Sequence, residues 1–140
     1  MLGQLNADGT PNYTLSGTNN PDGTGLNNPK DVAVHMSAGA GRLFVADGNN
    51  RVLVFNLTVG ALVDHKADFV LCQANMVTTA TQTVSASSCS PQGLAYDSGG
   101  NRLFVSDSQA NRVLVFDVAA ITNGENAINV LGQPDFSTDT

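Results

Sequence analysis

Arg42-Leu43-Phe44-Val45-Ala46-Asp47 returns as Arg102-Leu103-Phe104-Val105-Ser106-Asp107, an offset of 60 positions. Arg51-Val52-Leu53-Val54-Phe55 returns as Arg112-Val113-Leu114-Val115-Phe116, an offset of 61. Such self-similarity marks a repeat architecture, in which each unit buries its apolar surface against a copy of itself. β-Branched and aromatic residues fill these strings, and turn formers bound them: Ala38-Gly39-Ala40-Gly41, Gly48-Asn49-Asn50, Ser98-Gly99-Gly100-Asn101 and Ser108-Gln109-Ala110-Asn111. Four short strands per unit are expected. In the first unit they are 31–35, 42–46, 51–55 and 68–71; in the second, 93–96, 102–106, 112–116 and 128–131. No stretch carries a helical period with caps at both ends, so the chain reads as all-β. Short connections between the first three strands of each unit predict antiparallel meanders.

The faces of these strands decide the architecture. Successive side chains point to opposite sides, so Leu43 and Val45 oppose Phe44 and Ala46. Both sides are apolar, and the same holds for Val52 and Val54 against Leu53 and Phe55. A sheet with one wet face would alternate apolar and polar residues; continuous apolar runs require cover on both sides. A small antiparallel sheet clasped between two others like it is a propeller blade. A two-sheet sandwich would leave each outer face wet and fits poorly.

Pro29-Lys30-Asp31-Val32-Ala33-Val34, followed by Arg42 to Asp47 and Asn50-Arg51-Val52-Leu53-Val54-Phe55, resembles the NHL repeat of β-propeller proteins. Pro91-Gln92-Gly93-Leu94-Ala95-Tyr96, running on through Asn101 to Phe116, resembles it more closely. The first copy departs at Asp31, where the pattern favours Gly, as at Gly93. The resemblance implies two four-stranded NHL-like blades belonging to a six-bladed ring, completed by oligomerisation or by further sequence. It also implies a non-catalytic scaffold or binding module, meeting a protein or small ligand through its rim loops and channel mouth. Propeller lactonases and amidating lyases resemble the same fold, and they imply the alternative of a metal-dependent hydrolase or lyase with a site shared between subunits. A propeller fragment with no independent function is the third reading.

The chain divides into an outer-strand motif plus linker at 1–27, a blade at 28–73, a linker at 74–90, a second blade at 91–133, and the start of a further linker at 134–140. Met1-Leu2-Gly3-Gln4, Val70-Leu71-Cys72-Gln73 and Val130-Leu131-Gly132-Gln133 are three versions of one outer strand and its exit. This pattern suits a segment of a longer array or a short chain that assembles. Propellers close with about four to eight blades, and two blades alone leave apolar faces open. A homo-oligomer is therefore expected, most simply three two-blade chains. The strand near Leu2 would then compete with a neighbour's Val130-Leu131.

Lys and Arg total 6 against 12 Asp and Glu, for a net charge of −6 and a pI near 4.4. Phosphate backbones need the opposite sign, so nucleic acid is not an expected partner. No apolar run approaches the roughly twenty residues that span a bilayer, so no membrane partner is expected either. The opening residues lack the basic start and apolar core of a secretory signal. Few lysines amid abundant Asn, Ser, Thr and Gly suit an exported bacterial protein, extracellular or in the cell envelope. The 1–27 linker is turn-rich, with Asp8-Gly9 and Asn19-Asn20-Pro21-Asp22-Gly23, and is expected to be mobile.

Candidate chemistry is sparse, and no catalytic, cofactor or metal residue is expected. Cys72 leaves an outer strand and Cys89 precedes an inner one, about 14 Å away at three strand spacings. That exceeds the roughly 7 Å Cα limit for a disulfide. Two free thiols are the expectation, unless the linker folds back. Asp47 and Asp107 end strands before tight turns, with Arg51 and Arg112 beyond; one such pair in each blade points to architecture rather than to an active site. A Ca²⁺ loop counted from Asp47 fails, because Val52 and Thr58 stand where Gly and Glu are required. Asp31, His35 and Asp97 are the candidates for the channel mouth, too few for a metal site within one chain. His65 reads as solvated, and Glu125 is the sole glutamate.

Overall fold

The computed structural model describes the chain except residues 1, 7, 16–20, 60 and 140. Met1 of the first outer-strand motif and Asn19-Asn20 of the linker thus lie outside the described residues. Nine strands follow in order: β1 Asp31–Ser37, β2 Ala40–Asp47, β3 Arg51–Thr58, β4 Ala61–Leu62, β5 Phe69–Leu71, β6 Pro91–Asp97, β7 Arg102–Asp107, β8 Arg112–Asp117 and β9 Asn129–Leu131. They form two antiparallel sheets. In the first, β1, β2 and β3 make a meander, and the outer edge of β3 carries β5 at one end and the two-residue β4 at the other. The second is the plain meander β6-β7-β8-β9. The short β4 has no counterpart in the sequence reading; it extends the β3 edge where Leu57 pairs with Leu62.

Left-handed residues set the turns. Gly39 at φ 86° lets Ser37 pair directly with Ala40, so β1 and β2 run closer to the hairpin tip than the four-residue turn expected there. Asn50 and Asn111, at φ 57° and 49°, close the β2–β3 and β7–β8 turns. Asp47 pairs with Arg51 across three intervening residues, and Asp107 with Arg112 across four. That one extra residue is why the repeat offset changes from 60 to 61.

The sheets stack head to tail. Phe44, Val52, Val54 and Leu71, all fully buried, project from one face of the first sheet. They join Leu103, Val105, Leu114 and Phe116 from the second sheet in a single core. Polar contacts cross the same interface, among them the Val70 amide donating to Asn123 Oδ1 at 3.0 Å. Asp31 Oδ2 accepts from the Leu94 amide at 2.7 Å, and Arg42 donates to the Val118 carbonyl. The Asp31 departure from the repeat pattern therefore has a purpose: its carboxylate caps an amide of the neighbouring blade.

The far face of the first sheet is only partly covered. Val45, Leu53, Phe55 and Val70 are buried beneath Leu2, Leu26 and Met76. On β1, Val32, Val34 and Met36 remain exposed on that side. On the far face of the second sheet, Ile128 and Leu131 are exposed and Phe104 is half-buried.

Phe44 sits at the centre of the shared core with no exposure. Phe44→Ala is expected to lower stability by about 3–5 kcal/mol, through lost transfer energy and a residual cavity. Urea unfolding checks this, and a loss below about 1 kcal/mol would remove the inter-sheet core from the account.

Candidate functional site

One Asp–Arg ion pair in each blade is buried inside the fold. Arg51 and Asp47 are fully buried, with Arg51 Nε donating to Asp47 Oδ2 at 2.6 Å. The guanidinium also donates to the carbonyls of Met76 and of Gly25, the latter at 2.9 Å. Asp47 Oδ1 accepts from the Asn27 amide at 2.6 Å. The second blade repeats the scheme: Arg112 Nε meets Asp107 Oδ2 at 2.9 Å, and its amines reach the carbonyls of Phe136, Ser85 and Ser88. Asp107 Oδ1 accepts from the Ser90 amide at 3.0 Å. The backbone amides that cap these aspartates come from the linkers, and the adjacent turn adds only the Asn49 side-chain amide, donating to Asp47 Oδ2 at 3.3 Å. Each pair thus ties a strand end to the two segments that enter and leave its blade. Beside Arg51, burial pulls the Asp22 carboxyl upward, but the Thr24 hydroxyl, the Thr24 and Gly25 amides and the Arg51 charge outweigh it and hold the group below the ordinary carboxylate value.

Removing one partner of such a pair strands a buried charge. Asp107→Ala and Asp47→Ala are each expected to cost about 3–5 kcal/mol, read from chemical denaturation. An effect under about 1 kcal/mol would show the pair to be exposed in solution.

Cys72 and Cys89 are joined in a disulfide, with Cα atoms 5.2 Å apart, which corrects the expectation of two free thiols. The linker does fold back. Gln73 Nε2 donates to the Ala80 carbonyl at 3.1 Å, and Gln82 Nε2 to the Cys72 carbonyl at 3.4 Å, holding the segment against the exit of β5. The strand-spacing estimate measured across one sheet, whereas both cysteines lie in the core between the two sheets. Cys72 also occupies a left-handed position, φ 68°, which Gly3 and Gly132 fill in the other two copies of the motif. Closing a loop of this size removes unfolded-state entropy, so Cys72→Ser with Cys89→Ser is expected to cost about 3 kcal/mol. Thermal unfolding of the double variant against the oxidised chain measures it; equal stability would mean that the bridge is absent.

The three residues expected at the channel mouth are not brought together. Asp31 Oδ2 is engaged by Leu94 and its Oδ1 by the Val32 amide, whereas His35 lies near the other end of β1. Asp97 accepts from the amides of Gly99 and Gly100 in its own turn. Among the described residues, no group of three or more His, Cys, Asp or Glu side chains is placed to hold a metal ion. His65 is half-buried rather than solvated, and its Nδ1 has no hydrogen-bond partner among the described residues.

His35 instead lines an open cleft of about 370 Å³ between the two sheets, together with Arg42, Phe44, Asn56 and Tyr96. The His35 and Tyr96 rings lie 4.6 Å apart at 38°, and Phe44 stacks on Tyr96 at 5.9 Å. The Tyr96 hydroxyl donates to Asn101 Oδ1 at 2.9 Å. Such a cleft offers aromatic faces, a guanidinium and a side-chain amide, the usual means of seating a planar or acidic group. Of its residues, sequence reasoning singled out His35 alone. The signal that could have found Tyr96 is its departure from the repeat, since Val34 holds the matching place in the first copy.

The NHL repeat family matches residues 89–116, the second blade from Cys89 to the end of its third strand motif. The chain carries an NHL repeat, and its paired antiparallel sheets are consistent with a segment of an NHL-repeat β-propeller. No curated protein and no solved structure matches the chain.

Proposed function

We propose that this pair of blades is a non-catalytic binding module of the propeller type, with the inter-sheet cleft as its ligand seat. One observation carries the reading. Asp47, Arg51, Asp107 and Arg112 are consumed as buried ties, whereas His35, Arg42, Tyr96 and Asn56 present recognition chemistry at an open surface. The cleft suits a small molecule, or a peptide side chain, that joins a flat ring to an anionic group. The ring would stack on His35 and Tyr96, and the anion would face Arg42.

Titration with benzoate, followed by backbone amide chemical shifts, tests this. Shifts are expected at His35, Arg42 and Tyr96, and Tyr96→Ala should weaken binding about tenfold, the loss of about 1.4 kcal/mol of stacking. Shifts centred on another surface, or an unchanged affinity in Tyr96→Ala, would refute the cleft as the seat.

A further inference from the structure

The interface between the two blades joins unlike faces. The second blade leaves open the face that the first has used. The first leaves its other face open along β1, while Leu2, Leu26 and Met76 cover Val45, Leu53 and Phe55. Ala33, Phe44, Val52, Val54 and Leu71 of the first blade lie toward the second. Ala95, Phe104, Val113, Val115 and Leu131 repeat them, identical in every residue type, on the second blade's far side. Leu71 is 0% exposed, whereas Leu131 is 48% exposed. The receiving surface is repeated too. Val45, Leu53 and Phe55 on the far face of the first blade match Val105, Leu114 and Phe116, and on β1 Val32 is 59% and Val34 58% exposed.

We propose that a second copy of this chain docks its first blade onto the second blade of this one, repeating the internal interface between molecules. The occupant follows from identity of surface: the internal contact already shows which face this set of side chains accepts, and on the first blade that face is the one left partly open, along β1. A polar contact is carried along with the apolar one. Arg102 repeats Arg42 and is exposed, and Leu57 repeats Val118, so Arg102 takes the Leu57 carbonyl of the neighbour as Arg42 takes that of Val118. The Asp31–Leu94 bond is not carried along, because position 93 is Gly. Leu2, which repeats Leu71, lies where the neighbour's Leu131 arrives, so docking exchanges that segment for the neighbour's β9. A head-to-tail contact closes when its rotation completes a circle, and three copies complete six blades. This inference stands apart from the ligand reading of the cleft, which needs only one chain.

Sedimentation or light scattering of the full chain tests it, with a mass near three times 14.5 kDa expected. Phe104→Asp blocks one face and Val34→Asp the other, and each variant alone should fall to 14.5 kDa while keeping its β-sheet circular dichroism. Mixed together they should pair at twice 14.5 kDa, because each retains one competent face. The pairing also shows that both variants are folded. A parent chain that stays at 14.5 kDa at its highest soluble concentration overturns the proposal, and so does a mixture that does not pair. In either case the open faces belong to another polypeptide or to further blades.

Discussion

A buried guanidinium bonded to a buried aspartate at the end of each blade is the constraint around which the rest is arranged. Arg51 and Arg112 each satisfy their donors with one carboxylate and with carbonyls from segments far away in sequence, Gly25 and Met76 for the first, Ser85, Ser88 and Phe136 for the second. An ion pair out of water is tolerable only when its remaining hydrogen-bonding capacity is met. The linkers must therefore pass close to the strand ends. What would otherwise be loose connections become fixed supports, and the disulfide at Cys72–Cys89 lies along the same path.

Hydrophobic burial fills the space these ties define. The strands carry apolar residues on both sides, and among the described residues one interface is made between the blades. Leu2, Leu26 and Met76 close part of the first blade's far face, and their contribution is local: the inner strand beside them stays open at Val32 and Val34. Among the described residues no such segment covers Leu131 on the second blade. The two ends of the stack therefore differ in exposure although the blades share their sequence.

Much of this was legible in the strings themselves. The repeat of Arg42 to Asp47 as Arg102 to Asp107 established unit length, strand content and the two apolar faces of each strand, because period-two alternation maps sequence directly onto faces. The disulfide was not legible: a distance counted in strand spacings treats the chain as one flat sheet, whereas the cysteines meet between two. The β4 strand was hidden because two residues carry no period. The cleft at His35 and Tyr96 was hidden for a related reason, since its walls come from different blades and no spacing along the chain joins them.

The sequence by itself determined that two like units form antiparallel sheets, which residues each sheet turns to either side, and that an Asp and an Arg recur at one place in each. Those properties follow from local geometry and from comparison of the chain with itself. Only the tertiary structure decided which face of one blade meets which face of the next, that the 74–90 linker returns to bridge Cys72 with Cys89, and that Asp31 serves the neighbouring blade instead of a site. These depend on the path of the chain between units, where hydrogen bonds from Gln73, Gln82, Asn27 and Ser90 outweigh any local preference.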